Sequence, residues 1–207
     1  HGWRRPAGAW AALMTFLHAH SPYAEPGFDE WRERLDSLPP SEVWIRPAEP
    51  TVEDGRWMRW VQAECESTTI QGVAFNVSTI EKKIVFLAEI SDCTVGFCIA
   101  LAGRTDSAPM FVQLVAIVPQ ARRRGAGFAL LHAVASTEPH HDIVAATLDG
   151  NTAARALNER FAASLGASIR RVPIRSFRPS EMGFAPGENH RPWLIERSPD
   201  RSLRSET

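Results

Sequence analysis

The sequence predicts a mixed α/β fold with a central, mostly antiparallel sheet of about six or seven strands that is flanked by helices. Three β-branched, apolar runs, at residues 84–90, 95–102 and 110–118, follow one another with only polar turns between them. Strands joined through turns favour antiparallel pairing. An alanine- and leucine-rich run at residues 125–135 predicts a helix on this sheet, and residues 143–148 predict a buried strand after it.

Further elements are predicted on both sides of this region. Thr51 is a typical N-cap for a helix over residues 52–66, and residues 151–165 predict a helix that ends at Gly166. The polar stretch at residues 67–78 has no clear period, so an irregular helix there is left open. The remaining strands are predicted at residues 43–46, 169–177 and 193–196.

Residues 1–40 predict a helical N-terminal extension ahead of a domain that spans residues 41–207. Apolar side chains recur at mostly helical spacing from Trp3 to Leu17 and again from Phe28 to Leu35, before two prolines. The extension could cover a binding site, form a homodimer contact or pack on the sheet.

Composition argues against several classes of protein. The 207 residues carry a net charge of -1 and are 44% hydrophobic, which argues against disorder and against a large polyanion-binding surface. Three cysteines without CxxC spacing predict neither a disulfide framework nor a zinc site. No apolar run approaches the roughly 20 residues that cross a bilayer, and no signal peptide is recognisable. We therefore expect a cytoplasmic protein without a metal or a membrane partner.

The segment at residues 114–131 carries the strongest functional signal. An apolar strand, a proline, a basic turn and two glycines come immediately before a helix. A helix N-terminus presents unpaired N–H groups and the positive end of the helix dipole, so its main chain can hold a diphosphate. Gly125 and Gly127 let an anion approach the backbone, and three consecutive arginines, Arg122, Arg123 and Arg124, add positive charge beside it.

Two common phosphate-binding loops and a nucleic-acid site fit this segment less well. A Walker loop needs a Gly-Lys-Ser/Thr ending, and a dinucleotide-binding loop needs GxGxxG early in a βαβ unit. The arginines could instead form a solvated basic turn or contact a nucleic acid. The near-neutral charge and the lack of an aromatic-basic stripe weaken that last interpretation, so no nucleic-acid partner is predicted.

The arginine and glycine run also matches the signature of a known family. Arg122-Arg123-Arg124-Gly125-Ala126-Gly127 fits the R/Q-x-x-G-x-G/A pattern of the GCN5-related N-acetyltransferase (GNAT) superfamily, after a strand that ends at Val118-Pro119. Downstream, Asn151-Thr152-Ala153-Ala154 looks like the Asn-x-x-Ala opening of the family's next helix, and residues 43–48 are similar to its first strand. The resemblance covers roughly residues 43–197.

The resemblance implies a GNAT-like sheet that is splayed at the cofactor site. It implies acetyl-CoA-dependent transfer of an acetyl group to a primary amine, by direct attack in a ternary complex without metal. The pantetheine arm would pair with the strand backbone, the pyrophosphate would sit in the turn, and Asn158 could orient a water or touch the cofactor. The implied cofactor-binding residues are Val115, Ala116, Ile117, Arg122, Arg123, Arg124, Gly125, Ala126, Gly127, Phe128, Asn151 and Asn158.

The catalytic residues are less defined, because two features common in the family are missing. Asn158 stands where many members place a tyrosine, and an amide is no proton donor to a thiolate, so the general acid is unassigned; Ser164 or solvent are the alternatives. The strand at residues 111–114 lacks a carboxylate. Glu89, in a strand expected near the sheet centre, is the predicted general base, although a strand carboxylate without a catalytic role remains the alternative. The other carboxylates considered are Glu64, Glu66 and Asp92.

These missing features leave a second function open, an acyl-CoA-binding regulatory or interaction module without turnover. The acceptor is open too and could be a small amine, an antibiotic, an amino acid or a protein amino group. Trp57 and Trp60 could line an apolar acceptor pocket, and three residues of the last long loop could bind a cationic acceptor: Glu181, Glu188 and His190.

Overall fold

The computed structural model describes residues 21–66, 68–183 and 190–197. Its strands are β1 (Trp44–Pro47), β2 (Ile84–Ile90), β3 (Cys93–Leu101), β4 (Met110–Ile117), β5 (Ile143–Leu148), β6 (Ser168–Arg171) and β7 (His190–Glu196). Its helices are α1 (Phe28–Asp36), α2 (Val52–Glu64), α3 (Val73–Lys82), α4 (Ala126–Ser136), α5 (Thr152–Ser164) and α6 (Pro179–Met182). Short 3-10 turns occur at Pro22–Ala24, Pro119–Ala121 and Ile174–Ser176.

The seven strands form one sheet in the order β1-β2-β3-β4-β5-β7-β6. All neighbouring strands pair antiparallel except β4 and β5, which are parallel. The predicted mixed fold with a mostly antiparallel sheet is therefore confirmed.

Two predicted helix ends are confirmed by their capping bonds. The Thr51 hydroxyl accepts a hydrogen bond from the Asp54 N–H at 3.2 Å. Asn151 caps α5 in the same way, with its side-chain oxygen 3.0 Å from the Ala154 nitrogen. Gly166 follows α5 with φ of 62°, the left-handed conformation that commonly ends a helix.

Three predictions need correction. The strand expected over residues 169–177 stops at Arg171, since Pro173 has no N–H to donate to a ladder and a 3-10 turn follows it. Where an irregular helix was left open at residues 67–78, the regular helix α3 begins and continues to Lys82, and α6 forms within the loop predicted at residues 178–191. The helix predicted between Trp3 and Leu17 lies outside the described residues.

Helix α1 packs into the main hydrophobic core. Phe28, Trp31 and Leu35 are at most 2% exposed, and the Trp31 indole donates a hydrogen bond to the Thr94 carbonyl of β3 at 2.9 Å. Trp60 is 3% exposed, and the centre of its ring lies 4.9 Å from the centre of the Trp57 ring. The boundary at residue 40 remains a prediction, but residues 28–36 share a core with the sheet.

The sheet opens between β4 and β5. Only Met110, Phe111 and Val112 have partners on β5, and beyond the pair Val112 and Ala145 the two strands diverge. On the other side of β4, Leu114 pairs with Ile99 and Val112 with Ala100, so Gln113 is the extra residue of a β-bulge. This opening is the splay that was expected at the cofactor site, and it exposes the second half of β4.

Candidate active site

A groove of about 880 Å³ begins at the splay and runs along β4, the basic turn and the start of α5. Of the predicted cofactor residues, it is lined by Val115, Ala116, Ile117, Arg122, Arg123, Arg124, Gly125, Ala126, Gly127, Phe128 and Asn151. Asn158 is the exception, because it is 6% exposed and is not part of the groove wall. The fold thus brings two separated sequence segments to one surface.

The strand wall of the groove offers backbone groups. Val118 donates to the Val95 carbonyl of β3 at 2.9 Å. Because N–H and C=O groups alternate sides along an antiparallel strand, the backbone of Ala116 also faces β3, whereas that of Val115 and Ile117 faces the gap towards β5. An extended ligand chain can therefore pair with Val115 and Ile117 as an additional strand would.

The turn before α4 is shaped to hold an anion. Gly125 is the N-cap residue with φ of 85°, and no side chain caps the helix. The first helical bond runs from the Ala129 nitrogen to the Gly125 carbonyl, so the N–H groups of Ala126, Gly127 and Phe128 have no partner within the helix. A Cβ built at Gly125 would meet nothing within 4 Å, so the mouth of the cradle is open.

Gly127 serves the packing of the groove. A Cβ at this position would come within 3.2 Å of Leu157 Cδ2, so the glycine lets α4 and α5 approach closely.

The three arginines of the basic turn have different hydrogen-bond partners. Arg122 Nε donates to the Ile117 carbonyl at 3.3 Å, and Arg124 donates to the carbonyls of Leu38 and Pro39. Arg123 has φ of 65° and donates no side-chain hydrogen bond within the described parts of the chain.

Helix α5 and the segment after α2 supply further wall residues, of which only Glu66 had been considered from the sequence. Arg160 lies with its guanidinium carbon 4.8 Å from the centre of the Phe128 ring. Arg160 shares a helix face with Ala153 and Leu157. The i, i+4, i+7 spacing of these three residues after Asn151 is the sequence feature that could have identified them as groove residues. From the segment after α2, the groove is lined by Cys65, Glu66 and Thr68.

A second cavity of about 650 Å³ lies on the other side of the splay. Its walls come from α3, the bulged part of β4, β5, and the end of α6. Thr68 lines both cavities, and Leu114 and Val115, neighbours on β4, line one each. The two cavities therefore share a wall at the splay.

A known family matches most of the chain. Residues 13–163 match the model of the acetyltransferase (GNAT) family. The chain belongs to the GNAT family. No curated protein sequence matches it.

Solved GNAT structures have the same fold. Diaminobutyrate acetyltransferase EctA from Paenibacillus lautus, in complex with L-2,4-diaminobutyric acid and coenzyme A, is 21% identical with a TM-score of 0.59, over 76% of this chain and 96% of that one. A GNAT acetyltransferase from Bacillus cereus is 14% identical with a TM-score of 0.57, over 76% and 99%. Ribosomal-protein-alanine N-acetyltransferase from Brucella melitensis is 18% identical with a TM-score of 0.52, over 73% and 97%.

GNAT acetyltransferases use acetyl-CoA, and the groove suits that molecule. Its backbone-lined strand fits an amide-containing arm, and its uncapped helix start beside basic side chains fits a diphosphate. Within the described residues, no group of three or more His, Cys, Asp or Glu side chains could hold a metal ion. No helix of the same residues is long and apolar enough to cross a membrane.

The fold does not bring Glu89 to either cavity. Its carboxylate accepts a hydrogen bond from Arg46 Nε at 2.8 Å, and the same guanidinium makes two bonds of 2.8 Å to Asp54. Burial by itself would raise the pKa of Asp54, but bonds from Arg46 and from the Glu49 N–H hold that pKa below its usual value. This network joins β1, β2 and the start of α2, which is a structural role.

The remaining candidate carboxylates and Ser164, the candidate general acid, do not lie together at one site. Glu64 pairs with Arg32 at 3.3 Å, and Asp92 lies in the tight turn between β2 and β3. Glu66 alone among the four carboxylates considered lines the groove. The Ser164 hydroxyl is 2.9 Å from His132 Nε2 and lies outside both cavity walls.

Only one of the described residues that were expected near the acceptor lines a cavity. His190 lines the second cavity, whereas the Glu181 carboxylate accepts from the Arg178 N–H at 3.0 Å and pairs with Arg104 at 3.5 Å. Glu188 lies outside the described residues. Trp57 and Trp60 pack against the core and line neither cavity.

Proposed function

We propose that this protein is an acetyl-CoA-dependent N-acetyltransferase that transfers the acetyl group to a primary amine within a ternary complex. The observation that carries this proposal is the pair of cavities that meet at the splay. Direct attack requires the nucleophile to lie roughly 3 to 3.5 Å from the carbonyl carbon, with both reactants bound at once. Two cavities that have Thr68 in common support this arrangement, with the donor in the groove and the acceptor in the second cavity.

The chain's own groups would divide the work along the groove. The N–H groups of residues 126–128, together with Arg123, would bind the diphosphate. The backbone of Val115 and Ile117 would align the pantetheine arm, and an N–H there would stabilise negative charge on the thioester oxygen during attack. This assignment supports a mechanism by positioning and backbone polarisation.

Glu66 is the proposed general base. An ammonium must lose a proton before its nitrogen can attack, and Glu66 is a carboxylate on the groove wall, two residues from the shared residue Thr68. The departing thiolate would take its proton from solvent, since the groove is open and its described wall has no tyrosine. A cytosolic location, in which the three unpaired cysteines stay reduced, belongs to the same proposal. A homodimer remains a prediction.

The proposal is tested by turnover. Purified protein is incubated with acetyl-CoA and a panel of primary amines, and free CoA and acetylated product are measured by mass spectrometry. Stoichiometric release of both is the expected result. Tight binding of acetyl-CoA with no product from any amine would instead favour the binding module without turnover.

The base assignment has a matched pair of variants on the same helix end. Glu66→Gln should lower kcat at least about 10-fold, because a positioned base contributes about 10²- to 10⁴-fold. Glu64→Gln changes a carboxylate that pairs with Arg32 away from the groove, so its kcat should stay near that of the unmodified protein. Equal activity of the two variants would contradict the role of Glu66.

A further inference from the structure

The second cavity contains a lysine with no anionic partner in its described walls. Lys83 lines this cavity, and its other described lining residues include no aspartate, glutamate or arginine. Burial lowers the pKa of the half-buried Lys83 ammonium, as desolvation disfavours the charged form. A cavity of about 650 Å³ also has the size of a small-molecule site.

Gln113 holds the lysine in place without neutralising it. Lys83 Nζ donates to Gln113 Oε1 at 2.6 Å. The amide nitrogen of Gln113 donates to the carbonyls of Ser180 and Glu181, at 3.2 and 2.8 Å. The amide is thereby fixed with its oxygen towards the ammonium, and the opposite orientation would place two N–H donors against it.

The position of Gln113 is itself fixed by the fold. It is the extra residue of the β4 bulge, at the point where β4 leaves β5. Gly183, at the end of α6, packs so closely that a Cβ there would lie 2.7 Å from Gln113 Cβ. Since an ammonium has three donors and Gln113 takes one, Lys83 presents two N–H groups to a ligand.

The neighbouring amide side chains are occupied with one another. Gln62 Nε2 donates to Asn76 Oδ1 at 3.2 Å, and Asn76 Nδ2 donates to the Gly55 carbonyl at 3.0 Å. The Gln62 oxygen accepts from the Gln71 N–H at 2.9 Å. These bonds tie α2 to α3 and leave the cavity with a net positive centre at Lys83.

That centre discriminates among amines. A simple amine enters as a cation and would place a second positive charge in the cavity, which is unfavourable at low dielectric. An amine that also carries a carboxylate can pair that group with Lys83 and direct its amino group towards the splay. We propose that the second cavity binds a free amino acid as the acetyl acceptor, with Lys83 as the anchor of its carboxylate. This proposal rests on the proposed function, because it assigns the acceptor of the same reaction.

The test is a binding experiment that does not depend on turnover. The protein amino acids and L-2,4-diaminobutyrate are screened by ligand-observed NMR, with and without saturating CoA, and each is compared with its own primary amide. The amide keeps shape and amine but removes the anion. We expect at least one amino acid to bind, and its amide to bind about 10- to 100-fold more weakly, as for the loss of one charge-assisted pair.

Adjacent lysines give matched variants. Lys83→Met should lower affinity for the amino acid about 10- to 100-fold and raise that for its cationic amide, because the repulsion between two positive charges is removed, whereas Lys83→Arg should retain most of the preference for the acid. Lys82→Met removes an exposed charge outside the cavity and should change neither affinity. Circular dichroism checks that the variants are folded.

Three results would overturn the proposal. Amides that bind as tightly as the acids would indicate a peptide-like acceptor, no binding of any amino acid would remove the substrate class, and equal behaviour of the Lys82 and Lys83 variants would remove the anchor. CoA binding and thiol release are measured on the same preparations. Failure of those two measurements counts against the proposed function, whereas the comparison of acid with amide on the protein alone decides the role of Lys83.

Discussion

Arg124 donates a hydrogen bond to the Leu38 carbonyl at 3.3 Å and a second to the carbonyl of Pro39. These bonds tie the turn that precedes α4 to the segment that follows α1. The adjacent Arg123 is exposed on the groove wall and makes no such bond to the described residues. Arg123 and Arg124, neighbours in one signature, thus have different surroundings. Substituting each of them separately should therefore affect different properties of the protein.

Arg123→Ala should weaken CoA binding about 3- to 10-fold at low ionic strength, with a smaller loss at about 0.5 M salt, because an exposed charge is screened. Arg124→Ala should mainly lower the free energy of unfolding, by about 1 kcal/mol, because it deletes bonds to two carbonyls. Calorimetric titration and urea unfolding of both variants separate the effects. The reverse pattern would contradict the assignment of Arg123 to the phosphates.

The network of Arg46, Asp54 and Glu89 predicts a loss of stability in acid. The pKa of Asp54 is lower in the folded protein than its ordinary value of about 3.9, so its stabilising contribution is present above that value and is lost as the pH falls through the folded pKa. Asp54→Asn should reduce the free energy of unfolding at pH 7 by about 2 kcal/mol and flatten its decline below about pH 4. Urea unfolding between pH 3 and pH 7 measures both. An unchanged acid slope would show that other carboxylates cause it.

The three cysteines should be unreactive in the folded protein. Burial raises the pKa of Cys98 to about 12 and that of Cys65 to about 11, and it raises the pKa of Cys93 as well. At pH 8 a thiol with a pKa of about 11 is ionised to roughly one part in a thousand, and the thiolate is the reactive form. A disulfide reagent should therefore titrate all three thiols quickly only in denaturant. Rapid labelling of Cys65 in the native protein would contradict its buried position on the groove wall.

Signals that are contiguous in the sequence predicted the turn and helix start that line one end of the groove. The geometry of this segment follows from local features, namely a strand, a basic turn, two glycines and the start of a helix. Gly125 therefore takes the N-cap position that the pattern requires. Asn151 came from the resemblance, as the opening of the family's next helix, and the structure shows that it is the N-cap of α5. The parting of β4 from β5 came from the resemblance, and the register of the strands confirms it.

The second cavity could not be predicted, because it depends on contacts between distant segments. Lys83 and Gln113 are 30 residues apart, and their hydrogen bond joins the residue after α3 to the bulged part of β4. Glu89 lies on β2, which is next to the edge strand β1 and not near the centre of the sheet as predicted. Its partner Arg46, 43 residues earlier, is set by the pairing of β1 with β2, which periodicity does not reveal.

The most direct test of the central claim is calorimetric titration of acetyl-CoA and CoA into Gly125→Asp and Gly125→Asn. Asparagine and aspartate have nearly the same shape, both can adopt the left-handed backbone, and a Cβ here meets nothing within 4 Å, so the two variants differ mainly in charge. Gly166→Asp, at a left-handed glycine outside the groove, controls for added charge. If the turn binds the diphosphate, Gly125→Asp should bind on the order of 10- to 100-fold more weakly than Gly125→Asn. Equal affinities, or no binding of CoA to the folded unmodified protein, would contradict the claim.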